Sequence, residues 1–235
     1  GYDGLPCLPL FISTRSAIRA KIMVSGADAQ EDRSSRAEML EQSCQSFQAA
    51  QHQLQPAEPV LIAVGGFSGS GKSTLAQALA PLCLPAPGAI HLRSDVIRKR
   101  LHGRAPTERL PASAYSADVS AQVYETMLRR ADEALQAGYP VIMDAVNDRA
   151  EDRGAIAALA QSRSVPFKGF WLDVSEEVMA TRIAGRSNDA SDATEAVMLT
   201  QAKQGHGALG DWQKIDAGDT VEATLATVKS LLNLL

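Results

Sequence analysis

The order of elements along this sequence predicts an α/β fold: five parallel strands in one sheet, helices on both faces, and a helical segment attached in front. Three observations carry the prediction. Short apolar runs alternate with helical patterns, which is how a parallel sheet has to be connected. The run VLIAV at 60–64 is continuously apolar rather than alternating, as a strand buried on both faces requires. Directly after it comes GGFSGSGKST, 65–74, a stretch too rich in glycine for a strand or helix interior, followed by a helical pattern.

Residues 1–58 are read as the helical segment and residues 59–235 as the α/β domain. In the first, PLFISTRSAIRAKIMV puts Phe11, Ile18 and Ile22 on one side of a helix. SGADAQEDRSS is a polar linker. Ala37, Leu40, Cys44, Phe47 and Leu54 then recur in three- and four-residue steps on a second helix, from about Ser35 to Leu54, closed by Pro56 and Pro59. Its stripe is expected to pack on the protein's own domain. In the second part, a helix is expected from Lys72 to about Leu82, a strand over AIHLRSD (89–95), and a short basic helix from Val96 to Leu101. A long helix is capped near Ser116 and stopped at Gly138. PVIMDA (140–145) is the third strand, RAEDRGAIAALAQS a helix, and FKGFWLDV (167–174) the fourth strand. Ser175 caps EEVMATRIAGR, with two acids in its first turn. A polar loop and helix (SNDASDATEAVMLTQAKQ), a fifth strand (WQKIDA) and a closing helix (TVEATLATVKSLLNLL) complete the pattern.

Composition narrows the function classes. Of 235 residues, 45% are apolar and 21% charged, the balance of a globular chain that buries a sizeable core. The net charge of −4 gives no global attraction to nucleic acid or an anionic membrane. No run of about 18 apolar residues occurs, so no membrane span is expected. Cys7, Cys44 and Cys83 fit neither a zinc site nor a redox pair, and a reducing cytoplasm is expected. His91, His102 and His206 lack metal-ligand spacing, and Trp171 and Trp212 read as packing residues.

The glycine stretch carries the chemistry. Gly66-Phe67-Ser68-Gly69-Ser70-Gly71-Lys72-Ser73, followed by Thr74, fits the phosphate-binding pattern G-x-x-x-x-G-K-[ST]. Its glycines let successive backbone N–H groups turn inward at a helix N-terminus, Lys72 adds a point charge at the terminal phosphates, and the Ser73 hydroxyl is placed for Mg²⁺. The fold is therefore expected to be a three-layer P-loop NTPase fold, binding ATP with Mg²⁺. No N-K-x-D guanine motif occurs, and VIMDA ends in Asp144-Ala145 without the adjacent acid of a motor ATPase. A kinase needs a carboxylate beside the acceptor hydroxyl and cations around the migrating group. Asp95 can be that base or merely cap the next helix. Arg98, three residues on, can orient an anionic or polyhydroxylated substrate. Asp144, at the end of strand three, can meet Mg²⁺, contact the acceptor, or brace its loop. Asn147 and Arg149 belong either to the substrate site or to plain surface. Arg186, four residues after Arg182, can close over the phosphates on a polar lid or stay solvated. The six basic residues against two acids between Arg93 and Arg109 form either a positive rim or an ordinary exposed helix.

GFSGSGKSTLAQALA, RSDVIRKRLHG and VYETMLRRADEALQAGYPVIMDA together resemble the small P-loop kinases grouped as AAA_33 or zeta-toxin-like. These are similar in outline to polynucleotide 5′-hydroxyl kinase, gluconate kinase and chloramphenicol phosphotransferase. The resemblance is greatest to the C-terminal ATP-binding half of bacterial bifunctional aminoglycoside phosphotransferase/ATP-binding proteins, and covers roughly 59–217. It implies a sheet of adenylate-kinase type, Mg²⁺–ATP as donor, a lid arginine, and the strand-two aspartate with its arginine as base and substrate contact, here Asp95 and Arg98. The acceptor is expected to be a hydroxyl of a small molecule or a nucleic-acid end. A regulatory ATP-binding module and a zeta-toxin-like sugar-nucleotide kinase stay open beside it. GYDGLPCLPLFISTRSAIRAKI resembles the end of a phosphotransferase-like half, which makes a fused or associated domain of that kind an expected partner. No catalytic-loop H-x-D is visible, and antibiotic resistance is not expected.

Overall fold

The computed structural model describes residues 4–55, 58–186 and 189–233. Pro56, Ser187 and Asn188, assigned from sequence to a helix stop and to the lid loop, lie outside them. The chain divides into two compact units, Gly1–Ala57 and Glu58–Leu235.

The first unit is a helical hairpin of α1 (Leu8–Asp28) and α2 (Arg33–His52). Asp32 caps α2, its carboxylate accepting from the Ser35 N–H at 2.7 Å. The seam is made of small residues at seven-residue steps, Ser13, Ala20 and Ala27 on α1 and Ser43 and Ala50 on α2, all buried. The Ser43 hydroxyl donates to the Ala20 carbonyl at 2.9 Å. The seam between the two helices is thus not made by the large apolar residues of the sequence-read stripe. Phe11 is 66% and Phe47 53% exposed, and Ile18, Ile22, Leu40 and Leu54 are exposed as well. Small residues win the seam because they let two backbones approach closely enough for the serine to reach across. Cys7 and Cys44 are likewise exposed.

In the second unit five strands run parallel: β1 (Leu61–Gly65), β2 (Ile90–Arg93), β3 (Val141–Asp144), β4 (Phe167–Asp173) and β5 (Gln213–Asp216). Their order is β2-β3-β1-β4-β5. β1 is central and buried at every residue, which is why its sequence does not alternate. The helices are α3 (Lys72–Leu79), α4 (Ser94–Leu101), α5 (Ala117–Gln136), α6 (Ala150–Ser162), α7 (Glu176–Ala184), α8 (Glu195–Gln204) and α9 (Val221–Leu231). Ile62, Val64, Ile142, Phe170 and Leu172 form one core with Leu75 and Leu79 of α3 and Val228 of α9. Each such side chain contributes about 1.5–3 kcal/mol by leaving water. Leu61, Ala63, Val141 and Met143 alternate to the opposite face. There α5 buries Val123, Met127 and Ala131. Hydroxyl caps start the later helices, with Ser116 accepting from Val119, Ser175 from Val178, Thr194 from Val197 and Thr220 from Ala223.

Two features of this topology position the site. The chain leaves β1 for β2 and β3 on one side and crosses to β4 on the other, so the carboxyl ends of β1 and β3 flank a switch point, where an open parallel sheet binds ligands. The register pairs Val64 with Asp144 and Asp144 with Arg93. That sets the loop after β1 beside the Asp144 carboxylate. Asp95 departs from its expected place at a strand end: β2 stops at Arg93, and Asp95 lies in the first turn of α4, where the helix dipole favours an acid. Among the described residues no helix is long and apolar enough to cross a membrane.

Candidate active site

The loop from Gly66 to Ser73 joins β1 to α3 in a form that only glycine allows at three places. Gly66, Gly69 and Gly71 have φ of 141°, 93° and 95°. A Cβ on Gly66 would stand 2.6 Å from the Ser70 hydroxyl oxygen and 2.9 Å from the Leu172 carbonyl, and one on Gly69 2.7 Å from the Met179 carbonyl. The loop is thus a turn of bare backbone closing on itself at the N-terminus of α3, where unpaired N–H groups favour anions. Ser70 Oγ, buried inside the turn, has no hydrogen-bond partner among the described residues. Lys72 reaches back over the loop, its Nζ donating to the Phe67 carbonyl at 2.9 Å. Burial pushes the Lys72 ammonium down to about 8, against the pull of the Asp144 and Asp95 carboxylates.

A cavity of about 850 Å³ opens over this loop. It is lined by Ser68, Gly71, Lys72, Ser73 and Thr74 on one side and by Asp95, Arg98, Asp144 and Arg186 on the others. The structure therefore brings together most of the residues singled out in the sequence. Asp144 is buried. Its carboxylate accepts from His91 Nε2 at 3.0 Å and from the Ser73 hydroxyl. Burial raises its pKa, but the His91 bond and the Lys72 charge outweigh that and hold it below the usual carboxylate range. Ser73 and Asp144 form a pair of hard oxygens suited to Mg²⁺ with its remaining positions on water and phosphate. The Asp95 carboxyl is pushed up by burial and by the Asp144 charge, with the Ser191 hydroxyl, Lys72 and Arg93 pulling the other way. Arg98 is buried. Its Nη1 donates to the Ala114 carbonyl at 2.8 Å and to Ser120 at 3.3 Å, and its guanidinium lies 4.9 Å from the Tyr115 ring centre.

Asn147 does not reach the cavity. Its side chain is fully buried and donates to the Val64 carbonyl at 3.2 Å, and its own N–H donates to the Tyr124 hydroxyl. With φ of 55° it is a turn residue bracing β1 against the loop after β3. Arg149 and Asp148 from that loop do line the cavity, as do Asp152 and Tyr124. Arg186 stands exposed on the rim. Arg182, one helical turn before Arg186, is the arginine with the fuller set of partners: it donates to the carbonyls of Ser70, Ala217, Gly218 and Asp219 and ties the glycine loop to the turn after β5.

The residues that sequence reasoning missed lie on one arm, formed by 189–194 and α8. Asp189 accepts from Arg93 at 2.7 Å. Ser191 bonds to Asp95. Asp192 accepts from Lys99 at 3.0 Å, the Leu110 N–H at 3.0 Å and the Tyr115 hydroxyl at 2.7 Å. Gln201 accepts at Oε1 from the Ser68 N–H at 2.9 Å. The basic run from Arg93 is divided: Arg98 and Lys99 are buried and Arg93 is paired with Asp189, while Arg100, Arg104 and Arg109 are exposed. The spacing of Asp189, Ser191 and Asp192 carries no local signal for partners about 80 to 96 residues away.

Comparison with known proteins agrees with this architecture. Uncharacterized proteins of Mycobacterium tuberculosis and Mycobacterium bovis are 32% identical to the chain over 178 residues, 74% of this chain and 33% of theirs. The chain thus spans about a third of the length of the curated relatives it matches. Among solved structures, a putative kinase of Chloroflexus aurantiacus superposes with a TM-score of 0.57 at 22% identity, covering 76% of this chain and 98% of that one. A sugar kinase of Janibacter gives 0.56 at 18%, covering 75% and 95%. The APS kinase of Mycobacterium tuberculosis, solved with AMPPNP and APS, gives 0.54 at 17%, covering 76% and 99%. At such identities these structures establish the fold. The family model described as AAA domain, AAA_33, matches residues 61–205, well over half of the chain, and the chain belongs to that family.

Proposed function

We propose that the chain is an ATP-dependent phosphotransferase that moves the terminal phosphoryl group of ATP to a hydroxyl of a polyhydroxylated small molecule. The observation that carries this reading is the single cavity lined by both Lys72 of the glycine loop and the Asp95 carboxylate. Its volume of about 850 Å³ lies within the range of pockets that enclose one or two small ligands.

The roles follow from position. The backbone N–H groups of Gly69, Gly71, Lys72, Ser73 and Thr74 cradle the phosphates, Gly66, Ser68 and Ser70 shape the turn with their own N–H groups paired to Val146, Gln201 and Phe67, and the Lys72 ammonium neutralises charge at the group in flight. Ser73 and Asp144 would hold Mg²⁺, which when bound would neutralise part of the negative charge on the phosphate oxygens. Arg98 orients the acceptor. Asp95 takes the acceptor's proton as the new oxygen–phosphorus bond forms and the bond to the β–γ bridging oxygen breaks, leaving ADP. Arg186, at the rim, is the cation available to the equatorial oxygens. Asp148, Asp152, Tyr124 and Ser120 on the acceptor side offer a mixed set of donors and acceptors with no excess of positive charge. That suits hydroxyl groups better than the polyanionic end of a nucleic acid. Dependence on ATP and three unpaired cysteines fit a cytoplasmic setting.

The test is incubation with labelled Mg²⁺–ATP and a panel of polyols, sugars and nucleosides, alongside Asp95→Asn. Acceptor-stimulated transfer that drops about 10²–10⁴-fold in the variant, with ATP affinity within about twofold, is the expected result. Binding of ATP with no transfer to any acceptor, and no response to Asp95→Asn, would mark a regulatory module instead.

A further inference from the structure

One peptide unit in the glycine loop is held from both sides. Its carbonyl, that of Phe67, accepts from Lys72 Nζ at 2.9 Å. Its N–H, that of Ser68, donates to Gln201 Oε1 at 2.9 Å. The lysine of such a loop reaches the terminal phosphates, so the Phe67–Ser68 peptide lies at that end of the cradle. Gln201 comes from α8, 133 residues away. The bond also fixes which way its amide faces: an N–H requires an acceptor, so Oε1 is on the loop and Nε2 is the free end. Gln201 lines the cavity, and among the described residues no acceptor meets Nε2.

We propose that Gln201 is the selectivity residue for the terminal phosphoryl group: Oε1 stays on Ser68 while Nε2 donates to the γ-phosphate, so that α8 responds to ATP and not to ADP. This rests on the reading of the cavity as an ATP site. It gives the arm a purpose beyond covering the cavity. The same arm ties Asp189 to Arg93 and Asp192 to Lys99 on the acceptor side, so a contact at the γ-phosphate draws on an element that also borders the acceptor.

Calorimetric titration of the whole chain with AMPPNP and with ADP, each in Mg²⁺, tests it. The expected result for Gln201→Ala is a loss of about ten- to a hundredfold in AMPPNP affinity, the range of one hydrogen bond to a charged group, with ADP affinity within twofold. Gln201→Glu keeps an acceptor for Ser68, removes the donor and adds a negative charge, and is expected to discriminate against AMPPNP at least as strongly. It also preserves the comparison should Gln201→Ala fold poorly. Gln204→Ala, on the same helix and the same cavity, is expected to leave the AMPPNP-to-ADP ratio unchanged. Equal losses for both nucleotides in the Gln201 variants, or no loss, would overturn the proposal. Failure of the unaltered chain to bind either nucleotide would overturn the ATP-site reading itself.

Discussion

Lys72 shows how far a local pattern reaches. Its place in the loop is set by eight consecutive residues, yet its titration is set by the cavity: burial depresses it to about 8 while Asp144 and Asp95 hold it up. The sign follows. The charged form binds phosphate, and it is lost as pH rises through about 8. Mg²⁺–ATP affinity is therefore expected to be flat below about pH 7 and to fall by up to tenfold per unit above 8, with Lys72→Met weak throughout and without that slope. Binding titrations between pH 6.5 and 9.5 check this. Asn147 is the opposite lesson: an asparagine just past a strand looks like a substrate contact, but its amide is used on the Val64 carbonyl, and nothing local distinguishes the two fates.

At the scale of elements, the loop and the arm behave differently. The loop is constrained by its own backbone. Gly69→Ala forces a Cβ to 2.7 Å from the Met179 carbonyl at φ of 93°, and is expected to destabilise by about 1–3 kcal/mol and to lose nucleotide binding. Denaturant unfolding and titration read the two effects separately. The arm is held by charge. Lys99 is 1% exposed, and Asp192→Ala leaves its ammonium buried without its carboxylate. That is expected to cost about 3–5 kcal/mol, with most of it recovered when Lys99→Met is added. Element identity was largely legible in the sequence. Caps at Ser116 and Ser175 and the apolar runs of β1, β3 and β4 all announce themselves locally. The α1–α2 seam was not, because alanine and serine at seven-residue steps carry little hydrophobic signal beside Phe11, Ile18 and Phe47.

For the whole molecule, the two units differ in what holds them. The α/β unit has a sheet buried between helices, whereas the hairpin buries only small side chains at its seam. Mg²⁺–ATP at about 100 times its Kd is expected to add about 2.7 kcal/mol to the unit that binds it. For a domain of that size this raises its midpoint by roughly 5–10 °C. Calorimetry with and without nucleotide checks this, and a midpoint that does not move at saturating Mg²⁺–ATP would contradict it.

The sequence by itself determined the strand-and-helix order and the glycine loop with its lysine, since each depends on neighbours within a few residues. Only the tertiary structure decided that Arg98 and Lys99 are buried and that Lys99 is paired with Asp192, that His91 and Ser73 hold Asp144, and that Gln201 meets the loop. Those contacts join residues dozens of positions apart, and their energy exists only once the parallel sheet has brought three strand ends and the arm to one edge.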